Sequence, residues 1–231
     1  MMTRIAVLIP AYNEVRSIGQ VIAALPQSVT EVVVIDNNST DGTAAEAKKH
    51  KAIVVHESRK GYGYACLKGM AFLEQNPPNI VVFLDGDYSD FPEELDKIIA
   101  PILSGKVDFS LGARVNSLRE KGALTPQQIF GNALACTLMR YLYQSRFSDL
   151  GPFRAIRWET LQSLQMKDQT YGWTVEMQLK ILRRKLPYAE IPVHYRKRIG
   201  VSKVSGTVKG TLFAGYKILK WIGTFYFSGW K

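Results

Sequence analysis

The first half of the chain alternates short apolar runs with longer stretches of mixed polarity. The apolar, β-branched runs predict strands at 5–9, 31–35, 53–55, 80–84 and 107–111, and the stretches between them predict helices at 16–25, 43–50, 62–75 and 92–103. Continuous apolar strands are typical of a parallel sheet with helices on both faces. The pattern therefore predicts an α/β fold with a mainly parallel central sheet, in which ligands bind beyond the carboxyl ends of the strands.

Local signals mark several helix starts. Asp90, followed by Pro92 and two acidic residues, predicts a capped start for the helix at 92–103. After residue 113 the alternation gives way to a polar loop at 114–125, and Thr125 and Pro126 open a helix that runs to about Tyr143. Further strands are predicted at 153–158 and 188–194, with a helix at 173–184 between them.

The C-terminal segment 211–231 is rich in aromatic residues. Lys217 and Lys220 interrupt it, so no stretch reaches the roughly 18 uncharged apolar residues that a membrane-spanning helix needs. The segment is expected either to lie in a membrane interface or to pack on the domain. We therefore divide the chain into one domain at 1–210 and a C-terminal amphipathic, basic segment at 211–231.

The distribution of charge along the chain is more informative than the overall composition. The 231 residues carry a formal net charge of +10, and 46% hydrophobic with 22% charged residues excludes disordered and collagen-like chains. Residues 183–231 hold 11 basic residues and one acidic residue, Glu190, so the whole excess lies there. This predicts an anionic partner, such as an anionic membrane surface, although a solvated basic surface has the same composition.

Cysteine usage and the N-terminus indicate a location. Two cysteines outside any Cys-x-x-Cys motif form no disulfide scaffold, which is typical of a reducing compartment. The first ten residues reach Arg4 and then a strand, without the apolar core of a signal peptide. A cytoplasmic protein is expected.

Acid-bearing clusters follow three of the predicted strands. Asp85-Gly86-Asp87 comes directly after the run at 80–84, and a pair of carboxylates at such a place suits Mg²⁺ or Mn²⁺, which prefer oxygen ligands. Asp-Gly is also an ordinary turn signal, so the triplet alone is weak. Residues 10–14 and 36–43 supply the other two clusters, and the three together predict a crevice for a base, a ribose and a metal-bound diphosphate.

These motifs resemble family 2 glycosyltransferases of the GT-A fold, specifically the dolichyl- or polyprenyl-phosphate sugar synthase branch. The matching pieces, in family order, are P-A-Y-N-E at 10–14, D-N-N-S-T-D-G-T at 36–43, G-Y-G-Y-A at 61–65, D-G-D at 85–87, G-A-R at 112–114, D-L-G-P-F-R at 149–154 and R-I-G-V-S-K at 198–203. The resemblance implies a nucleotide-sugar-binding fold and a hexosyltransferase.

The resemblance also implies roles for individual residues. Around the donor nucleotide it places Pro10, Ala11, Tyr12, Glu14, Asp36, Asn37, Asp41 and Asp85. For the metal it implies Asp85, Asp87 and Ser89, and for the acceptor phosphate Arg114, Arg154, Arg198, Ser202 and Lys203, with Asp87, Arg114 and Arg198 as the catalytic set. Two positions depart from the family: Asn37 replaces the usual second Asp, and Ser89 replaces a Gln-like residue.

The expected reaction is inverting, metal-dependent transfer of a sugar from a UDP- or GDP-sugar to a polyprenyl or dolichyl phosphate. A phosphate acceptor is already ionised and needs no general base, whereas a soluble or glycan hydroxyl acceptor needs one, with Asp90, Asp149 and Glu176 as candidates. A non-enzymatic polyanion-binding protein is the other alternative. We expect peripheral contact with a membrane, a role for a membrane-protein partner and no nucleic acid.

Overall fold

A seven-stranded sheet organises the protein in a computed structural model that describes residues 3–200 and 208–228. The strands are β1 (Ile5–Ala11), β2 (Glu31–Asp36), β3 (Ile53–His56), β4 (Ile80–Phe83), β5 (Phe109–Ala113), β6 (Arg154–Arg157) and β7 (Tyr188–Pro192). Their order is β3-β2-β1-β4-β6-β5-β7, and β6 runs antiparallel to both neighbours while the remaining pairs are parallel. The predicted α/β fold with a mainly parallel sheet is confirmed.

Helices cover both faces of this sheet. They are α1 (Ile18–Ala23), α2 (Thr43–Lys49), α3 (Tyr62–Leu73), α4 (Leu95–Leu103), α5 (Pro126–Tyr143), α6 (Trp158–Leu164), α7 (Trp173–Arg183) and α8 (Val208–Phe227), with a 3₁₀ turn at Pro92–Glu94. Alternate residues of a strand point to opposite faces. Accordingly Ile5, Val7 and Ile9 of β1 pack with α1, α2 and α4, while Ala6 and Leu8 pack on the layer that contains α3, α5, α7 and α8.

Several predicted boundaries shift by one or two residues, as for β5 and β7, and two local predictions differ for a reason that the structure shows. The strand predicted at 153–158 ends at Arg157, because Trp158 turns into the buried start of α6, a helix that the apolar pattern did not reveal. Asp90 does not cap the next helix: Phe91 holds the cap position of the 3₁₀ turn. Both carboxylate oxygens of Asp90 instead point into the protein, where they find no hydrogen-bond partner within the described residues.

The C-terminal helix α8 is part of this fold. Ile222 and Phe225 are buried in the same apolar cluster as α5 and α7, and the Tyr143 hydroxyl donates to the carbonyl of Ile222. The domain boundary predicted at residue 210 therefore lies inside α8. Within the residues that the structure describes, no helix is long and apolar enough to cross a lipid bilayer.

Candidate active site

A cleft of about 310 Å³ opens at the carboxyl edge of the sheet, where β1, β2, β3 and β4 end. It is lined by residues that the sequence analysis assigned to the donor, the metal or the acceptor, namely Pro10, Ala11, Tyr12, Glu14, Asn37, Asp85, Asp87 and Arg198. Lys60, Gly61, Tyr62, Ala65, Gly86, Thr170 and Tyr171 complete the lining. Consecutive parallel strands bring these loops together, as ligand sites in open α/β sheets require.

The loop Asp85-Gly86-Asp87, called the acid loop, carries two carboxylates that differ in their surroundings. Oδ1 of Asp85 is buried without a hydrogen-bond partner within the described residues. Burial, reinforced by the negative charge of Asp87, raises the pKa of Asp85 to about 7. Oδ1 of Asp87 accepts hydrogen bonds from the amide (2.9 Å) and hydroxyl (2.5 Å) of Ser89. Two adjacent carboxylates, one with an orphaned oxygen, fit a divalent cation that shares its remaining ligands with a diphosphate.

The acid loop does not form a complete metal cage by itself. No group of three or more His, Cys, Asp or Glu side chains is arranged around a common point among residues 3–200 and 208–228. Mg²⁺ is commonly bound by one or two carboxylates together with substrate phosphates. Ser89 contacts Asp87 and so orients one of the two carboxylates.

Arg198 and Ile199 connect a distant part of the chain to the acid loop. Nη1 of Arg198 lies 3.2 Å from Oδ2 of Asp87, and its Nη2 lies 3.1 Å from Oε1 of Glu14. The amide of Ile199 donates to the carbonyl oxygen of Asp87 at 2.9 Å. A guanidinium in this position places a positive charge beside the acid loop, and its fork of N–H donors is suited to phosphate oxygens.

Arg196 fixes the same segment by stacking. Its guanidinium carbon lies 3.7 Å from the ring centre of Tyr88 and 3.8 Å from that of Phe91. Tyr88 has a φ of 62°, which is uncommon for a bulky residue and costs about 1–2 kcal/mol. The stack on Arg196 offsets part of this strain and holds the acid loop against residues 195–199.

Asn37 supports the wall of the cleft through its amide. The side-chain nitrogen donates to the carbonyls of Glu57 (3.1 Å) and Arg59 (2.6 Å), and the side-chain oxygen accepts from the amide of Gly61 (2.9 Å). An aspartate has no hydrogens to donate to those two carbonyls. The departure from the family's second Asp therefore has a local structural reason, since an amide is needed to hold the loop at 57–61.

Asp36 and Asp41 lie behind the lining rather than in it. Asp36 accepts from the amide of Ser39 at 3.1 Å and lies 3.3 Å from Nδ1 of His56. Asp41 accepts from the amides of Thr43 at 2.9 Å and Val15 at 3.3 Å. These contacts position the loops after β1 and β2. The expected place of the two carboxylates beside the nucleotide stays a prediction.

Arg114 and Arg154 do not line this cleft, and their expected role at the acceptor phosphate stays a prediction. Arg154 is fully buried and donates to the carbonyls of Leu150, Gly151 and Thr174, and burial lowers its pKa to about 10. Arg114 forms a two-pronged ion pair with Asp149, with nitrogen–oxygen distances of 2.8 and 2.7 Å. Ser202 and Lys203, the other predicted acceptor residues, lie outside the described residues.

Three lining residues were not anticipated. Lys60 lies with its amine 3.2 Å from the hydroxyl of Tyr12 and 5.0 Å from the ring centre, at the mouth of the cleft. Lys60 follows the end of β3 by four residues, at the same sheet edge, and this position was a signal that the sequence contained. Thr170 and Tyr171 reach the cleft from a loop distant in the chain, and no motif marked them.

Comparison with known proteins gives the class to which this fold and cleft belong. The family model for glycosyl transferase family 2 matches residues 6–168, and the chain belongs to that family of glycosyltransferases.

An uncharacterised glycosyltransferase of Mycobacterium tuberculosis is 33% identical over 213 residues, which cover 91% of this chain and 94% of the relative. The polyprenol monophosphomannose synthase of Mycolicibacterium smegmatis is 27% identical over 94% of this chain and 86% of its own. A crystal structure of glucosyl-3-phosphoglycerate synthase from Mycobacterium tuberculosis, in complex with Mn²⁺, UDP and phosphoglyceric acid, superposes with a TM-score of 0.78 at 22% identity. It covers 97% of this chain and 78% of that one. This last likeness establishes the GT-A glycosyltransferase fold.

Proposed function

We propose that the protein transfers a sugar from a UDP- or GDP-sugar to a polyprenyl phosphate, with inversion at the anomeric carbon. The observation that carries the proposal is the placement of Asp85 and Asp87 in one cleft at the carboxyl ends of parallel strands, with the Arg198 guanidinium paired to Asp87. Such a cleft has the charges needed to bind a diphosphate with its counterion. The similarity to a polyprenol monophosphomannose synthase over most of both chains supports the acceptor class.

In this reaction different cleft residues would bind the metal, the nucleoside and the phosphates. Asp85 and Asp87 would hold Mg²⁺ or Mn²⁺, which would stabilise the negative charge that develops on the departing nucleoside diphosphate. Tyr12 and Lys60 border the opposite part of the cleft, where they can pack on the nucleoside. Arg198 brings a second positive charge to the phosphates and lies on the chain segment that leads into the predicted acceptor residues Ser202 and Lys203.

The carboxylates around the cleft favour a phosphate acceptor over a hydroxyl. A hydroxyl acceptor needs a general base within hydrogen-bond reach, but Asp90, Asp149 and Glu176 are all buried and none lines the cleft. Asp149 is paired with Arg114, and Glu176 accepts from two loop amides and pairs with Lys180 at 2.6 Å. A phosphate acceptor is already ionised near neutral pH and requires none of them.

An apolar face on α5 and α8 supports contact with a lipid surface. Of the eleven strongly exposed large hydrophobic residues in the described part of the chain, nine lie on these two helices, namely Ile129, Phe130, Leu134, Tyr141, Phe213, Tyr216, Leu219, Tyr226 and Phe227. With 3.6 residues per turn, Phe213, Tyr216 and Phe227 fall within about 60° of one another. Exposed Arg140 and Lys220 add positive charge suited to anionic lipid headgroups.

The reaction is tested by incubating the protein with UDP- and GDP-sugars, a polyprenyl phosphate and Mn²⁺ or Mg²⁺, and analysing the lipid by mass spectrometry. A metal-dependent glycosyl phospholipid is the expected product. If the nucleotide sugar binds but no lipid product forms, the acceptor assignment is wrong and a hydroxyl acceptor replaces it. If no nucleotide sugar binds, the donor assignment is wrong as well.

Replacing Arg198 tests whether this residue binds the phosphate of the acceptor. Arg198→Gln is expected to lower kcat/KM for polyprenyl phosphate by about 10- to 100-fold, because a hydrogen bond to a charged group contributes about 1.5–3 kcal/mol. Steady-state kinetics with varied acceptor at saturating donor measure the effect. Lys121→Gln, an equal charge change at an exposed position of the 114–125 loop, is the control. Equal rates for the two variants would remove Arg198 from the reaction.

The apolar face makes a separate prediction about lipid binding. Changing Phe213, Tyr216 and Phe227 together to Ser is expected to weaken binding to anionic vesicles by about a hundredfold, since each aromatic ring contributes about 1 kcal/mol or more when buried. Co-sedimentation with phosphatidylglycerol vesicles measures it. These side chains are exposed, so the melting temperature is expected to stay unchanged. Undiminished binding would exclude this face as the lipid contact.

A further inference from the structure

Asp168 lies between α8 and the loop that forms one wall of the cleft. Its side chain is 1% exposed. Oδ1 accepts from the amides of Thr170 (2.7 Å) and Gly172 (3.0 Å), which folds the loop. Oδ2 accepts from the indole nitrogen of Trp221 (2.7 Å) and lies 3.3 Å from the amine of Lys217, both on α8. One carboxylate thus uses one oxygen for the cleft wall and the other for the helix.

The charge on Asp168 is maintained by these contacts. Burial works to raise the pKa of Asp168, but the hydrogen bonds from Trp221 and the loop amides, with the positive charge of Lys217, hold that pKa below its ordinary value. Charge-assisted hydrogen bonds to a buried carboxylate are among the stronger polar contacts in a protein. The link from the loop to α8 is therefore firm at neutral pH.

The other side of the same loop packs on the start of α3. The amide of Gly63 donates to the carbonyl of Thr170 at 3.2 Å, and the amide of Tyr64 donates to the carbonyl of Gln169 at 2.9 Å. A side-chain carbon at Gly63 would overlap the carbonyl oxygen of Asp168, and one at Gly172 would overlap the indole of Trp221. The loop is thus packed without a gap between α3 and α8.

The loop packed between α3 and α8, together with the start of α3, also lines the cleft. Thr170 and Tyr171 of the loop line it, and so do Gly61 and Tyr62 at the start of α3. The match to the family model ends at residue 168, so α8 lies outside the matched residues. A displacement of α8 would withdraw two hydrogen-bond donors from Asp168 and loosen a wall of the donor cleft.

We propose that Asp168 is a positioning residue that couples the docking of α8 to the donor cleft, so that α8 docking and nucleotide binding strengthen each other. Coupling of this kind is reciprocal: whatever factor α8 docking adds to nucleotide affinity, the nucleotide adds to α8 docking. Because the outer side of α8 carries the exposed aromatic face, a lipid surface bound there acts on the donor cleft through the same contact. The proposal rests on the proposed function in taking the ligand of the cleft to be a nucleoside diphosphate and, for the effect of a lipid surface, in taking the exposed face of α8 to contact lipid.

Asp168→Asn separates the two halves of the contact. The asparagine oxygen can replace Oδ1 and keep the hydrogen bonds from Thr170 and Gly172, whereas its NH₂ group then faces two donors on α8 and cannot accept from them. The loop keeps its turn while the link to Trp221 and Lys217 is lost. Lys217→Met removes only the charge partner and leaves the carboxylate intact, which provides a milder second variant.

Hydrogen exchange of the full chain without ligand is the first readout. In Asp168→Asn, the amides of Gly63 and Tyr64, which donate to the loop carbonyls, are expected to exchange at least about tenfold faster, together with those of α8. Exchange in β1 and β4 is expected to stay unchanged. Asp108→Asn, the same chemical change at the opposite edge of the sheet, and Lys48→Met, at an exposed position of α2, are the controls.

Nucleotide affinity is the second readout. Titration of UDP and GDP with Mn²⁺ is expected to show about 5- to 50-fold weaker binding of the nucleotide that the wild type prefers, in Asp168→Asn and less strongly in Lys217→Met. In the wild type, that nucleotide is expected to slow exchange in α8, and this protection is expected to vanish in Asp168→Asn.

The results of these experiments distinguish a failure of the coupling from a failure of the donor or acceptor assignment. If exchange in α8 speeds up while residues 63–64 and nucleotide affinity stay as in the wild type, α8 is a packing helix and the coupling is disproved. If Asp168→Asn does not fold, the same comparison in Lys217→Met decides. If neither nucleotide binds the wild type, the donor assignment is wrong, and the exchange at residues 63–64 still decides whether α8 acts on the cleft. A missing lipid product with coupling intact affects the acceptor assignment alone.

Discussion

Asp87→Asn is expected to lower the rate of sugar transfer by about a thousandfold while the fold stays intact. A metal that stabilises charge on a leaving group contributes several kcal/mol to the transition state, and each 1.36 kcal/mol is a factor of ten in rate. The substitution keeps the shape of the side chain and an oxygen that can accept from Ser89. It removes the negative charge that faces the cleft, so the defect is expected in metal-dependent chemistry rather than in packing.

Binding and stability measurements identify the cause of that defect. The affinity for Mn²⁺ in the presence of nucleotide is expected to fall together with kcat, and thermal unfolding is expected to match the wild type. Asp108→Asn makes the same chemical change at the amino end of β5, where Asp108 pairs with Arg157 away from the cleft, and is expected to retain full activity. A fully active Asp87→Asn protein would contradict the assignment of the acid loop to the metal.

Most of the sheet could be predicted from the sequence because parallel strands covered on both faces appear as continuous apolar runs. The position of Asp85 and Asp87 at the cleft was predictable for the same reason. A polar residue placed directly after such a run, as Asp85 is after β4, has to lie at the carboxyl edge of the sheet. The order of strands and loops along the chain is therefore enough to predict which loops lie together at the cleft.

The positions of the arginine side chains could not be predicted in this way. Arg114 and Arg198 both sit in basic motifs, but only Arg198 reaches the cleft, because Asp149 lies within hydrogen-bond distance of Arg114 and neutralises it. Arg154 lies in β6 with its side chain inside the apolar layer, a position set by the antiparallel pairing of β6 with β4. Pairing between distant segments decides such outcomes, and a motif does not record it.

The C-terminal segment shows how one helical pattern can satisfy two expectations. The sequence left open whether residues 211–231 lie on a membrane or pack on the domain. In the structure, α8 buries Ile222 and Phe225 and exposes Phe213 and Phe227 on the opposite side. A helix with two apolar stripes can do both, and Lys217, which contacts Asp168, lies one turn after Phe213 at the border between the buried and the exposed stripe.

Arg114→Met is expected to lower the free energy of unfolding by about 3–5 kcal/mol, because it leaves the buried carboxylate of Asp149 without its cation. The carboxylate lies almost entirely out of solvent, and its hydrogen bonds from two backbone amides do not replace the lost charge. Urea unfolding measures the change. The double variant Arg114→Met and Asp149→Asn is expected to recover part of the loss, since the unpaired charge is then removed as well.

The same variants decide between a structural and an acceptor-binding role for Arg114. A purely structural ion pair predicts that the folded fraction of the double variant keeps its KM for polyprenyl phosphate within about threefold of the wild type, a change below about 0.7 kcal/mol. Loss of acceptor affinity with little loss of stability would instead return Arg114 to the acceptor site that the family resemblance implied. Because the guanidinium is already bound by two oxygens of Asp149, its capacity for a further phosphate is small, and the stability loss is the larger expected effect.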